Sequence, residues 1–200
     1  MFYISNILEF FYGILAPMKT HNLAFIDTET TGLNPETHEV IEFACVIARQ
    51  VDRPGRGPLL EIVEEFEIKI KPEHIERAEE QALRVNGYNE DEWIFAIEPA
   101  KAWEHIAKKV AGCNMVSHNI TFDHAFVTKS FERYNVENTF HFHKIDTISM
   151  AFARLYDVPA VTKFSLRALC EFFKVDNAKA HTALADTRAL YEVYKKMMQA

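Results

Sequence analysis

Residues 23–33 read Leu-Ala-Phe-Ile-Asp-Thr-Glu-Thr-Thr-Gly-Leu, an apolar run that delivers two carboxylates on alternate positions and then stops at a glycine. Such a run reads as a buried strand, and alternate side chains of a strand share one face. Asp27 and Glu29 therefore project together from the strand's end. Two like charges held that close raise each other's pKa unless a cation sits between them. Magnesium and manganese are the hard cations that prefer carboxylate oxygen. Taken alone, Asp-x-Glu is better described as two exposed acids on a solvated edge strand, since acids are common on surfaces. What overturns that description is the set of residues that follows.

With 200 residues the chain fits one α/β domain with a proper core, and a second domain would be cramped. The formal net charge of -7 argues against a long basic track for duplex DNA, because general nucleic-acid affinity comes from cations that neutralise many phosphates. A small site that grips a strand end through metal ions remains compatible with it. Cys45, Cys113 and Cys170 are scattered without Cys-x-x-Cys spacing, so neither a zinc knuckle nor a disulfide framework is indicated. A reducing cytoplasm is the natural compartment for such a chain. Residues 1–17 are apolar and aromatic, lack a basic leader, carry Glu9 and are too short to span a bilayer, so no membrane association is expected. They read as an extension packing on the domain or a partner, or, by a slight preference, as an upstream start with Met18 the real initiator. The domain proper is expected over 18–200.

After the acidic strand, 34–38 is turn chemistry and 40–48 a central strand. Glu42 interrupts that strand, either as a further acid near the site or, more simply, as a paired edge carboxylate. Residues 52–58 read as a loop. Phe66, Ile68 and Ile70 then alternate with Glu65, Glu67, Lys69 and Lys71, the period of a half-exposed strand. Three such strands in succession predict an antiparallel meander. A helix is expected over 73–85, stopped by Asn86-Gly87, and another over 99–110 with Trp103, Ile106, Ala107 and Val110 on one stripe. Met115-Val116-Ser117 is a short strand running into 118–123, His-Asn-Ile-Thr-Phe-Asp, with Thr121 as N-cap and Asp123 in the first turn of a new helix. A carboxylate there is stabilised by the helix dipole, so a capping role for Asp123 is as good a reading as a functional one. Residues 141–146 are a fifth strand, and 147–156 and 165–173 are helical. The last helix opens at His181-Thr-Ala-Leu-Ala-Asp186, placing His181 at its mouth and Asp186 more than a turn inward.

In order, Asp-x-Glu-Thr-Thr-Gly at 27–32, His-Asn-x-x-Phe-Asp at 118–123 and His-x-Ala-x-x-Asp at 181–186 resemble the three motifs of the DEDDh branch of the DnaQ-like 3′-to-5′ exonucleases. The resemblance runs from about residue 18 to 198. It implies an RNase H-like α/β fold, a mixed five-stranded sheet flanked by helices. It also implies an enzyme that removes mononucleotides from the 3′ end of single-stranded nucleic acid, read here as DNA. Asp27, Glu29, Asp123 and Asp186 would then hold two divalent ions, Mg2+ or Mn2+. Asp27 would bridge them, and Asp123 would support the second ion partly through water. His181 would be the general base, a task suited to imidazole because its ordinary pKa near 6.5 leaves it largely neutral at physiological pH. Thr30, Thr31, Gly32, Leu33, Asn119 and Phe122 match positions that contact the terminal nucleotides. The resemblance leaves open an exoribonuclease of the RNase T or oligoribonuclease type, and a DNA polymerase as partner of a small proofreading subunit. A stand-alone enzyme is equally open, and the oligomeric state, a homodimer included, is left open. A non-catalytic nucleic-acid-binding or polymerase-docking module is the reading from another class, and His181 speaks against it because mere binding needs no proton acceptor.

Overall fold

β1 (Leu23–Thr30) lies at the middle of the sheet, and everything else is arranged on its two faces and its two edges. The computed structural model describes residues 18–53, 56–177 and 182–199. The extension at 1–17 and His181 lie outside them. β2 (Val40–Arg53) pairs antiparallel with β1, and β3 (Arg56–Lys69) antiparallel with β2. On the other edge β4 (Asn114–Ser117) and β5 (Lys144–Asp146) run parallel to β1, giving the order β3-β2-β1-β4-β5. The expected meander and the expected mixed five-stranded sheet are both present. The loop expected over 52–58 is shorter than read, because β2 runs on to Arg53 and β3 resumes at Arg56.

Six helices lie among the described residues: α1 (Glu80–Asn86), α2 (Pro99–Val110), α3 (Ile120–Arg133), α4 (Thr147–Leu155), α5 (Leu166–Phe173) and α6 (Ala183–Gln199). The two-residue period of β1 divides them between the faces. Ala24 and Ile26 point into a core shared with Phe43, Trp103, Ile106, Phe126 and Phe131, which α2 and α3 cover. Leu23 and Phe25 point the other way, against Leu190, Tyr191 and Tyr194 of α6. A third cluster joins α4 and α5 to α6 through Ala151, Leu155, Leu169 and Val193. A strand covered on both faces must be apolar on both, which is why residues 23–26 show no alternation.

The helix expected over 73–85 is cut in two. Ile75–Arg77 is a single 3-10 turn, and α1 starts only at Glu80. The Glu79 amide, which a continuous helix would bond to the Ile75 carbonyl, donates to the Thr31 carbonyl (2.8 Å) instead, while the Glu39 carboxylate accepts the amides of Glu73 (3.3 Å) and His74 (2.9 Å) ahead of the 3-10 turn. Gly87 ends α1 in the left-handed conformation, as the Asn-Gly pair suggested. Thr121 is not the cap of α3. That place falls to Asn119 (φ 73°), because the amides of Asn119 and Ile120 both reach Asp146 Oδ1 at 3.1 Å. The other oxygen of Asp146 accepts from Ser149 at the start of α4, so one carboxylate ties down two helix origins.

The bend after β1 is fixed by packing. A Cβ on Gly32 would lie 2.4 Å from Cε1 of the His38 ring, and Arg133 of α3 donates to the carbonyls of Pro35, Glu36 and His38 to hold the turn against that ring's side. Glycine at 32 therefore leaves room for the His38 imidazole. Gly32→Ala should cost about 1–3 kcal/mol of stability by overpacking. Gly32→Ala combined with His38→Ala should recover most of the loss, and additive losses in the melting temperatures of the two single variants and the double would disprove this account.

Candidate active site

Strand parity decides where each acid goes. Asp27 and Glu29 continue the face of Leu23 and Phe25, so they emerge beneath α6, and Asp186 in its first turn descends to meet them. One oxygen from each of these three partly buried carboxylates can be chosen so that all lie within 4.8 Å of one another. Asp186 stands in the first turn because α6 begins at Ala183, closer to the helix end than its spacing from His181 suggested. Thr28 points to the opposite face, toward α3, and its hydroxyl donates to Asp123 Oδ1 at 2.8 Å. Ser117 at the end of β4 donates to Oδ2 of the same carboxylate. Asp123 is thus a buried acid with both oxygens held, and its charge bears on Asp27 from the other side of the strand.

The electrostatics follow from this crowding. Burial, followed by the charges of Asp123, Glu29, Asp186 and Glu42, holds Asp27 well above the ordinary carboxylate range. Burial and then the charges of Glu42, Asp186 and Asp123 push Glu29 up to about 8. Asp123 rises to about 6 through burial, against the pull of its hydrogen bonds from Ser117 and Thr28. A site of this kind is unstable as bare anions. A hard divalent cation supplies the missing positive charge with the ligand chemistry these oxygens require, so the donor set fits one.

The cluster opens on a cleft of about 580 Å³ lined by Asp27, Asp186, His118, Arg167, Asn177 and Cys170, among others. The amide of Asn177 donates to Asp186 Oδ1 at 3.3 Å. His118 Nδ1 lies 3.0 Å from the Thr147 hydroxyl, and burial depresses its pKa. Two further hollows flank the acids on the other side. One is lined by Thr28, Glu29 and Thr30 with residues of α1, the other by Asn119, Thr121, Ala125 and Pro35, and Leu33 and Phe122 line both. Leu33 is 73% exposed at the tip of its turn. Phe122 is partly buried, its ring packed on Phe126. Thr30 and Thr31 are buried, and their side chains serve the bend itself: Thr30 donates to the Gly32 carbonyl, and Thr31 accepts from the Glu39 amide.

The model of the exonuclease family designated RNase_T matches residues 24–194. The chain belongs to this exonuclease family. Proteins named Ribonuclease T from Shewanella sp. (strain ANA-3) and Shewanella oneidensis are each 30% identical to it over 181 aligned residues, covering 84% of this chain and 78% of theirs. Its fold is also that of Escherichia coli Exonuclease I. The structure of that enzyme with a dT13 oligonucleotide superposes with a TM-score of 0.71 at 18% identity, covering 88% of this chain. The chain spans 40% of the length of Exonuclease I. Within the exonuclease family frame, sequence reasoning passed over Thr28 and Ser117, the hydroxyls that orient Asp123. The only signal for Thr28 was its parity within β1, and Ser117 gave none, since its partner lies six residues away across a turn.

Glu29 makes the electrostatic account testable. Its pKa rises from 4.5 unfolded to about 8 folded, so between those values the folded protein holds a proton that the unfolded chain has released. Without divalent ions, stability must fall as pH rises through that window. Glu29→Gln removes this term, and in chelator near pH 8 it should melt roughly 3 °C or more above wild type. The gap should close near pH 5, where wild-type Glu29 is largely protonated. A gap independent of pH, measured by differential scanning calorimetry, would contradict the assignment.

Proposed function

We propose that this exonuclease-family chain is a DEDDh-type 3′-to-5′ exonuclease that releases mononucleotides from the 3′ end of single-stranded nucleic acid. In this reading Asp27, Glu29, Asp123 and Asp186 hold two divalent ions, Mg2+ or Mn2+, and His181 is the general base. The observation that carries it is the convergence of Asp27, Glu29 and Asp186 within 4.8 Å at an open cleft, with Asp123 behind them. Ions bound there would spread the negative charge that develops on the phosphodiester oxygens and ease deprotonation of the attacking water.

The chain's own residues have separable tasks in this scheme. Asp27 and Glu29 are set by the strand, whereas Asp186 is set by the start of α6. Asp123 is turned by the hydroxyls of Thr28 and Ser117, which favour its ionised form. His181, five residues before Asp186, would accept the proton at an imidazole nitrogen. Leu33 and Phe122 offer apolar surfaces on both flanking hollows, where terminal bases of any sequence can rest. Thr30 and Asn119 line one hollow each, and with the bend at Thr31 and Gly32 they would contact the terminal nucleotide mainly through backbone. A net charge of -7 fits an enzyme that holds a strand by its end.

DNA is the first reading of the substrate. RNA is the second, favoured by the 30% identity to proteins named Ribonuclease T. Oligomers of DNA and RNA labelled at either end, incubated with Mg2+ or Mn2+, decide between them. Mononucleotides should appear from the 3′ end, the reaction should stop on exhaustive chelation, and a circular single strand should survive. Cleavage of that circle would refute the polarity, and turnover in chelator with trace metal excluded would refute the metal requirement. His181→Ala should lower turnover by about a hundredfold or more with Mn2+ and oligonucleotide affinities little changed. Asp186→Ala should weaken Mn2+ binding as well as rate. Near-normal turnover of His181→Ala at neutral pH would remove the imidazole from the reaction.

A further inference from the structure

Glu42 is 4% exposed in the middle of a sheet that already crowds four acids, and it stands directly across from Glu29 in the β1–β2 pairing. Like charges facing each other across two strands destabilise a sheet. Among the charges around Glu29, that of Glu42 weighs most on its pKa. As a filler of this position an acid is a poor choice, yet its carboxyl group has a definite partner. Oε1 accepts the backbone N–H of Ala183, the first residue of α6, at 3.1 Å.

The first amides of a helix have no acceptor within it, and at α6 each can be accounted for. Ala183 donates to Glu42, Leu184 to Glu67 Oε1 (3.3 Å), Ala185 to the Thr182 hydroxyl (3.4 Å) and Asp186 to the Thr182 carbonyl (3.0 Å). Thr182 is an ordinary local cap. Glu42 and Glu67 come instead from β2 and β3, so they fix where the helix end sits on the sheet. Asp186 follows Ala183 by three residues, about 4.5 Å of helix rise. Any slip of the Ala183 amide along the sheet is a slip of the Asp186 carboxylate relative to Asp27 and Glu29. Because Asp27 and Glu29 ride on β1 and Glu42 faces Glu29 from β2, one strand pair sets all three clustered oxygens, two directly and that of Asp186 through the cap.

We propose that Glu42 is a positioning residue for the nuclease reaction, one that sets the depth of Asp186 in the acid cluster by accepting the Ala183 amide. This rests on the metal-dependent exonuclease reading. Groups that orient metal ligands from behind commonly matter by 10- to 100-fold in affinity or activity.

The test compares Glu42→Ala, Glu42→Gln and Ala183→Pro with wild type in the full chain. It reads Mn2+ binding by isothermal titration calorimetry, and kcat and KM on a single-stranded oligonucleotide. Glu42→Gln keeps an oxygen acceptor, whereas Ala183→Pro deletes the donor at a helix position that tolerates proline. Glu42→Ala and Ala183→Pro should each weaken Mn2+ binding and lower kcat by about tenfold or more, leaving KM within about twofold. Glu42→Gln should stay within about threefold of wild type in all three. Two results would overturn the proposal: Glu42→Gln as impaired as Ala183→Pro, or full Mn2+ binding and kcat in Ala183→Pro with only a lowered melting temperature. The pair Glu42→Gln and Ala183→Pro decides the matter even where Glu42→Ala does not fold. A wild-type protein that binds Mn2+ but cleaves no oligonucleotide would overturn the exonuclease reading instead, and the calorimetric comparison would still judge Glu42.

Discussion

Carboxylates gathered at the end of β1 repel one another, and this repulsion is the constraint to which the surrounding fold conforms. Left to themselves, Asp27 and Glu29 respond to burial and to their neighbours by holding protons far above the ordinary carboxylate range. The cluster persists because the four acids are fastened to three rigid elements. Two ride on the central strand, one on α3 and one on α6. A site that is costly when empty is one that a cation would relieve, supplying the missing positive charge as the protons leave. Stability and ligand binding are thus opposed in the empty protein and aligned in the occupied one.

The alternation of β1 turns that constraint into an architecture. Odd-numbered residues from Leu23 to Glu29 face α6, and even-numbered residues from Ala24 to Thr28 face α2 and α3. The same periodicity that buries Phe25 against Tyr191 and Tyr194 therefore brings Asp27 and Glu29 under Asp186. It also hands Thr28 to Asp123 on the opposite side. A one-residue slip of the strand would exchange the two sets, moving the acids into the Trp103 core. The long pairings of β2 with β1 and β3 hold the register against such a slip.

Much of this was legible in the sequence, because the strand, the meander and the last helix write their periodicity in local residues. The resemblance of three spaced motifs added the order in which distant elements meet. What was not legible depends on partners that local periodicity does not reveal. The helix over 73–85 is interrupted because Thr31 takes the Glu79 amide. Thr121 lost the cap of α3 because Asp146, on another strand, draws in the amides before it. Glycine at 32 was legible as special, but its reason, the His38 ring, lies six residues away across a turn. His181 lies outside the described residues, so its place rests on the motif.

The charged side of β3 is the most instructive case. Glu65 and Glu67 alternate with Phe66 and Ile68, a pattern that reads as a strand with one face in water. In the structure that face is in water and also meets the start of α6: Glu67 takes the Leu184 amide, and Glu65 pairs with Arg188 one turn further on. Glu42 on β2 completes the row at the Ala183 amide. Anions suit a helix N-terminus, where the unpaired amides and the dipole present partial positive charge. The same helix end carries Asp186, itself an anion that must approach two others. An acidic strip on the sheet thus attracts the helix by its backbone while the site it builds repels the helix's own side chain. The position of Asp186 is the balance of those two forces. It is therefore set by the sheet on which Glu29 also stands, and the strand, the helix and the cleft between them act as one rigid frame for the acids.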